Sequence, residues 1–385
     1  MRKIGLIVNP VAGLGGMSAF KGSDDVQVQL AAIKAGYEKH ATKKATVALE
    51  KISDLTEDFQ LFTISGEMGE NAAVLTGIQP VVFRRNERIS EMTDDFEKPV
   101  TTAEDTHEGV RWLLDNGVDV IVFAGGDGTA RDVLKAADNR VPVIGIPAGV
   151  KMHSAVYAVS AVTAGYVLRT FVQGKSWRIE KREVMDIDEA LFRQGIVSAS
   201  LFGFLPVVVQ KNYIQNTKQS SVSTEQELET MAHCIVERME DDVYYLIGPG
   251  STTEVIKKKL GIEGTLLGVD VVQNRKLIVK DTDERQLYSL LEGCETDSAA
   301  VILTTFIGGQ GHIFGRGNQQ FSPRVIHKVG KENIRIVATV SKLAALKLAP
   351  LLADTGDSEL DVYLAGYYRI NINLKEAVLY RVVCP

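Results

Sequence analysis

Cysteine is scarce in this chain. Cys234, Cys294 and Cys384 lie far apart, and no CxxC spacing occurs. That argues against a disulfide framework or a zinc site and fits a reducing compartment. Charge imbalance is small too: 43 basic against 49 acidic residues leave a formal net charge of −6, so no basic field points to nucleic acid or to an acidic membrane. The short basic runs Lys43-Lys44 and Lys257-Lys258-Lys259 read as solvated faces. Long apolar runs are missing as well. The best candidate, Ser154 to Val172, is broken by Ser160, Thr163, Gly165, Arg169 and Thr170, and reads as a buried helix rather than a membrane span. Met1-Arg2-Lys3 runs straight into a strand with no apolar leader behind it, so the expected location is cytoplasmic. The sequence holds no repeat of fixed period and no low-complexity tract. It also lacks HExxH, GxSxG and P-loop lysine patterns, which leaves zinc hydrolysis, serine hydrolysis and ordinary P-loop chemistry unsupported.

What is present points to an α/β enzyme of two domains. The 385 residues exceed one ordinary core, and 45% hydrophobic with 24% charged residues is normal for a globular protein. The first part alternates strands (4–8, 60–64, 81–83, 118–123, 143–146) with helices (25–35, 37–52, 67–75, 104–116, 130–137, 154–172). That order predicts a doubly wound, mostly parallel sheet over residues 1–175. Residues 176–385 then read as a β-rich domain carrying a further α/β segment at about 240–310. Its expected elements include strands at 183–187, 198–209, 243–247, 299–307, 334–339, 360–372 and 377–383.

Glycine gathers at the ends of apolar runs. Val118–Phe123 ends in Ala124-Gly125-Gly126-Asp127-Gly128-Thr129, and a helical pattern follows at once. The carboxyl edge of such strands is where an open α/β sheet binds ligands. Glycines let the backbone approach a phosphate, and the following helix start presents N–H groups to it. A carboxylate in such a loop repels phosphate unless a metal or a hydroxyl intervenes, so Asp127 suggests phosphoryl transfer. A plain strand-to-helix turn capped by Asp127 is the other reading.

Three further segments share this pattern. Asn9-Pro10-Val11-Ala12-Gly13-Leu14-Gly15-Gly16 follows the first strand, and Ile146-Pro147-Ala148-Gly149-Val150-Lys151-Met152-His153 follows that at 143–146. Gly248-Pro249-Gly250-Ser251-Thr252 follows a strand of the second domain; its hydroxyls and amides suit a phosphate or an amide ligand, or simply cap a helix. The Gly308–Gln320 stretch, with five glycines, Arg316, Asn318 and Gln319, reads as a polar loop outside the core. Arg316 suits bidentate phosphate binding there. Asp186 and Asp188 share one strand face and read as a surface pair.

Asn-Pro after strand one, Gly-Gly-Asp-Gly-Thr, and Ile-Pro-Ala-Gly before a helix together resemble the superfamily of NAD kinases and diacylglycerol-type lipid kinases. The layout resembles the ATP-NAD kinase-like group that includes the acetoin-catabolism protein AcoX. That wider likeness runs through Lys21-Gly22-Ser23-Asp24, the Gly248–Thr252 loop and the Gly308–Gln320 segment. The resemblance implies a kinase moving a phosphoryl group from ATP, or polyphosphate, to the 2′-hydroxyl of NAD, with Mg²⁺ on the donor phosphates. It makes Asp127 the catalytic carboxylate. It implies nucleotide binding by Asn9, Gly125, Gly126, Gly128, Thr129, Gly149, Gly250, Ser251, Thr252, Gly309, Arg316 and Asn318, while Lys151 suits a phosphate and His153 a ribose hydroxyl on their own chemistry. A lipid kinase and a non-catalytic nucleotide-binding protein of a catabolic pathway are the rival readings, and a homo-oligomer is compatible with all three. One departure separates the chain from the superfamily. Where these kinases carry Asn-Asp or Asn-Glu after the Pro-x-Gly turn, this sequence has Met152-His153, beside Lys151.

Overall fold

The computed structural model describes residues 1–14, 16, 39–84, 101–150, 152–175, 177–187, 199–210, 213–215, 223–293, 300–372 and 376–385. These form two compact units, one from the described residues of 1–215 apart from Gly16, the other from those of 223–385. The expected helix at 25–35 and the Lys21-Gly22-Ser23-Asp24 segment lie outside the described residues.

In the N-terminal unit, β1 (Arg2–Val8), β2 (Phe59–Ile64), β3 (Val81–Phe83), β4 (Val120–Gly125) and β5 (Val143–Pro147) join β6 (Arg178–Ile187) and β7 (Ala199–Val209) in one sheet. The strand order is β3-β2-β1-β4-β5-β7-β6, with only the β6–β7 pair antiparallel. Central strands buried on both faces need apolar residues along their buried length, and β1 from Ile4 onward and β4 supply them. Alternation then sorts the two faces. Ile4, Leu6, Val8, Val120 and Val122 pack with Ala45, Leu49, Ala164 and Leu168 of helices α1 (Ala41–Glu50) and α5 (Ala161–Val172). Ile7, Ile121 and Phe123 pack with Val110, Leu113 and Val133 of α3 (Ala103–Asp115) and α4 (Asp127–Ala137). A short helix, α2 (Glu70–Leu75), leads into β3. The chain leaves β1 toward β2 on one side, while β4 and β5 continue on the other. The crevice between the carboxyl ends of β1 and β4 is therefore the switch point of the sheet.

Strands β6 and β7, expected to open the second domain, extend this first sheet instead. The hairpin joins through β7, which runs parallel to β5 at Val143 and Val207. The expected helix at 154–172 begins only at Ala161. The Ser160 hydroxyl accepts the Thr163 N–H at 3.1 Å while the Thr163 hydroxyl accepts the Ser160 N–H at 2.7 Å, a reciprocal cap that fixes the start.

The second unit is a mixed α/β arrangement rich in strands. A five-stranded sheet runs β10 (Lys276–Thr282), β9 (Val269–Gln273), β8 (Tyr244–Ile247), β11 (Ala300–Thr304), β13 (Ile334–Ile336). A four-stranded sheet runs β12 (His312–Phe314), β14 (Leu351–Ala353), β16 (Ala377–Val383), β15 (Gly366–Asn371). The helices are α6 (Glu225–Glu237), α7 (Ser251–Lys259), α8 (Glu284–Glu292), α9 (Pro323–Val329), α10 (Val340–Ala344) and α11 (Ser358–Leu364). The strand expected over 360–372 is thus a helix followed by a strand. The Asp357 carboxylate accepts the Glu359 and Leu360 N–H groups, both at 3.0 Å, and so starts the helix.

Lys257 is not on a solvated face. It is 1% exposed, and its Nζ lies 2.7 Å from Asp270 Oδ2, while Asp270 itself is fully buried. Asp270 also accepts the N–H groups of Thr265 at 2.7 Å and Asp281 at 2.8 Å. The helical period turns Lys257 inward while Lys258 stays exposed. Burial pulls the Lys257 ammonium below the ordinary lysine range, opposed by the Asp270 carboxylate.

Candidate active site

Three loops meet at the carboxyl ends of β1, β4 and β5. Asn9 continues the β1–β4 ladder, its N–H donating to the Ala124 carbonyl at 2.9 Å. Its side-chain amide donates to the Thr129 hydroxyl at 2.9 Å, and its Oδ1 accepts the Val11 N–H at 3.2 Å. One asparagine therefore ties the first loop to the start of α4. The Gly125 carbonyl accepts N–H groups from Ala148 at 2.9 Å and Gly149 at 3.0 Å, which ties the third loop to the second.

Two glycines make that approach possible. A Cβ built on Gly149 would stand 2.6 Å from Gly126 Cα, backbone against backbone. Gly13, at φ +80°, would drive a Cβ to 2.3 Å from the Ala148 carbonyl oxygen. Gly126, Gly128 and Gly149 remain half-buried, whereas Asp127 and Thr129 between them are buried. The loop thus offers backbone outward and turns its side chains in.

Asp127 is the first residue of α4, where the free N–H groups of a helix favour a negative charge. Its Oδ2 accepts the His153 N–H at 2.6 Å and its Oδ1 the Ser154 N–H at 3.1 Å. A buried carboxylate needs such partners. The His153 ring also lies against it, Nδ1 being 3.3 Å from Asp127 Oδ2. That contact lacks hydrogen-bond alignment, and both ring nitrogens are buried without a hydrogen-bond partner. Met152 points into the apolar layer with Ile7 and Phe123. Lys151 lies outside the described residues.

The backbone that grips Asp127 is itself held by groups that sequence reasoning missed. The Tyr157 hydroxyl donates to the Gly126 carbonyl. The Ser154 hydroxyl donates to the Met185 carbonyl at 2.8 Å and accepts its N–H at 2.9 Å. Gln215 Nε2 donates to the Ser154 carbonyl at 2.7 Å. None of these spacings leaves a local sequence signal. Asp186, read as one of a surface pair, is buried and bound by Arg131 Nη1 at 2.7 Å; Asp188 lies outside the described residues.

The remaining candidates lie in the second unit. Gly250, at φ +124°, precedes α7, and Ser251 is exposed at the helix start. Thr252 is buried, and its hydroxyl accepts Lys342 Nζ at 2.9 Å. Lys342, unsuspected in the sequence, also donates to the Thr305 hydroxyl at 2.7 Å and lies over the Phe306 ring. The Gly308–Gln320 segment is no solvated loop. It contains β12, and Gln310, His312, Arg316, Asn318 and Gln320 are all buried. Pairing of β12 with β14 draws the segment inward. Arg316 Nη2 stands 3.9 Å from Asp354 Oδ2, and Asn318 Nδ2 donates to the Ile313 carbonyl at 2.8 Å. Gly309, at φ +78°, turns the chain after Ile307.

The ATP-NAD kinase N-terminal domain matches residues 4–176, and the ATP-NAD kinase C-terminal domain matches residues 240–382. The chain belongs to the ATP-NAD kinase-like family. Comparison with curated proteins gives no match. In this ATP-NAD kinase-like chain, the fold is the mixed α/β arrangement described above, with a parallel-rich N-terminal sheet and a strand-rich C-terminal region. Both matched regions are ATP-NAD kinase domains, and the three loops lie within the N-terminal one. No helix among the described residues is long and apolar enough to cross a membrane.

Proposed function

We propose that the protein is an NAD kinase-like phosphotransferase of the AcoX-like group, moving the terminal phosphoryl group of ATP, or of polyphosphate, to the 2′-hydroxyl of NAD. The observation that carries this reading is Asp127. It is a lone carboxylate in a glycine turn at the sheet's switch point, fixed by two backbone amides and backed by a helix start. Phosphoryl transfer asks chiefly for positioning and charge neutralisation. Gly125, Gly126, Gly128, Thr129 and Gly149 cradle phosphate through backbone, Asn9 fixes the loop, and Asp127 accepts the proton of the acceptor hydroxyl or orients that hydroxyl.

Among the described residues no group of three or more His, Cys, Asp or Glu is placed to hold a metal. A Mg²⁺ ion that arrives with a triphosphate needs none, because it takes most of its ligands from phosphate and water. Such an ion supplies neutralisation of the donor's charge.

A second reading is favoured by one observation. Met152-His153 occupies the place of the family's Asn-Asp pair, and both residues are buried. A protein that binds nucleotide without turnover accounts for that. Incubation with Mg²⁺, either γ-labelled ATP or labelled polyphosphate, and either NAD or diacylglycerol separates the readings. Label in NADP supports the proposal. Label in phospholipid, or nucleotide binding with no labelled product, refutes it.

A further inference from the structure

The five-stranded sheet of the second unit has a crevice of its own. β8, β11 and β13 run parallel, so their carboxyl ends share one edge. The chain leaves β8 for the antiparallel β9 on one side, whereas β11 lies on the other. The gap between the carboxyl ends of β8 and β11 is therefore a switch point, the place where open α/β sheets take ligands. Past β8, the turn at 248–250 leads into α7, whose first N–H groups have no partner within the helix. Past β11 comes Thr305, and past β13 the short helix α10 brings Lys342.

Three side chains meet at this gap. Lys342 Nζ donates to the Thr252 hydroxyl at 2.9 Å and to the Thr305 hydroxyl at 2.7 Å, and it lies 4.8 Å from the centre of the Phe306 ring. Lys342 is 7% exposed and Thr252 is wholly buried, while Gly250 and Thr305 are half-buried and Ser251 is exposed. The ammonium thus lies at the base of the gap, and the rim reaches solvent. A hydroxyl has one proton to give and lone pairs to fill. The neighbouring hydroxyls of Thr253 and Thr304 give theirs to carbonyls, of Gly250 at 2.9 Å and of Ile313 at 3.2 Å. Those of Thr252 and Thr305 accept from Lys342 and donate to no group among the described residues. A buried donor without an acceptor calls for a reason. The carboxylates beside the cluster are engaged elsewhere, Glu254 with Lys258 at 3.3 Å and Glu227 with the Ser341 hydroxyl at 2.7 Å. Two O–H protons, an ammonium and a helix start form a set of donors whose charge is all positive.

We propose that Lys342, Thr305 and Thr252 bind a phosphate group, an anion site carried wholly by the second unit. A phosphoryl oxygen only accepts hydrogen bonds and brings the charge that the ammonium and the helix start favour. The pyrophosphate of NAD and the phosphate chain of the donor both offer such oxygens. Assigning the group to a nucleotide substrate rests on the phosphotransferase reading; the anion site itself does not.

The test titrates wild type, Lys342→Met and Thr305→Val with inorganic tripolyphosphate, NAD and ATP by calorimetry, each added alone so that binding is read without NADP formation. Both variants are expected to bind tripolyphosphate about 10-fold more weakly or worse, as when a hydrogen bond to a charged group is lost. Thr305→Val keeps the lysine and nearly the same shape, and covers the case in which Lys342→Met does not fold. Weakening shared by NAD and not by ATP assigns the site to the acceptor's pyrophosphate; weakening shared by ATP and not by NAD assigns it to the donor's chain. Wild type that binds no tripolyphosphate overturns the proposal, as does either folded variant with wild-type affinity and stoichiometry for all three probes. The kinase reading fails separately, in wild type that binds tripolyphosphate through these residues and makes no NADP.

Discussion

The approach of Gly149 to Gly126 in the candidate site gives a test whose first readout needs no substrate. In Gly149→Ala the new Cβ stands 2.6 Å from Gly126 Cα and 3.4 Å from the Gly126 nitrogen. Carbon atoms rest at about 3.5–4.0 Å, so the two loops must part by about 1 Å. Both sides are main chain, and no flexible side chain can yield. A separation of that size stretches the Ala148 and Gly149 N–H bonds to the Gly125 carbonyl, now 2.9 and 3.0 Å, beyond useful range. Two backbone hydrogen bonds at about 1 kcal/mol each, with part of an overpacking cost of about 1–3 kcal/mol, give a destabilisation of about 2–4 kcal/mol. The same parting moves the amides of His153 and Ser154 off Asp127, and a 1 Å misplacement costs about 10²-fold in rate. Urea unfolding at neutral pH reads the first effect and NADP formation the second. Gly293→Ala is the control: its nearest contact is 3.5 Å and its φ of −77° suits alanine, so its stability stays within about 0.5 kcal/mol of wild type or rises. Gly149→Ala with wild-type stability and turnover would refute the convergence of the two loops.

Two further outcomes concern the second unit. Lys257→Met leaves Asp270 buried without its cation and is expected to cost about 3–5 kcal/mol in chemical denaturation; Lys257→Met with Asp270→Asn recovers part of this, and a single variant as stable as wild type contradicts the pairing. Burial pushes Asp361 up to about 6 from 3.8, so the folded state binds its proton more tightly than the unfolded chain does. Its contribution is therefore most favourable below about pH 4 and declines as the pH rises to about 6, reaching a cost of up to about 3 kcal/mol above that. Asp361→Asn keeps the acceptor that takes the Thr355 N–H at 2.8 Å and hydroxyl at 2.7 Å. The variant is expected to exceed wild type in stability at pH 7 and to match it near pH 4. A pH-independent difference would contradict the cause assigned here.

The loops that build the candidate site were legible because each joins a short apolar run to a cluster of glycines. The parallel order of strands then forces the ends of β1, β4 and β5 to one edge. What grips Asp127 was not legible, since its partners are the main-chain amides of residues 153 and 154, and an amide carries no letter in the sequence. Composition also misled. Glycine and polar residues made the Gly308–Gln320 segment look solvated, yet pairing of three residues in β12 buries it. The triple lysine at 257–259 looked exposed throughout, but a helix shows its faces in turn and Lys257 belongs to the inner one. Lys342 reaches Thr252 across 90 residues of sequence, a distance over which no local pattern speaks.

The most direct test is NADP formation by purified wild-type and Asp127→Asn proteins, supplied with NAD, Mg²⁺ and either ATP or polyphosphate. The substitution keeps size and one acceptor oxygen and removes the charge. The account predicts that wild type makes NADP and that Asp127→Asn, folded by its melting curve, makes it about 10²-fold more slowly or worse. Equal rates in the two proteins, or wild type that binds nucleotide and forms no NADP, would contradict it.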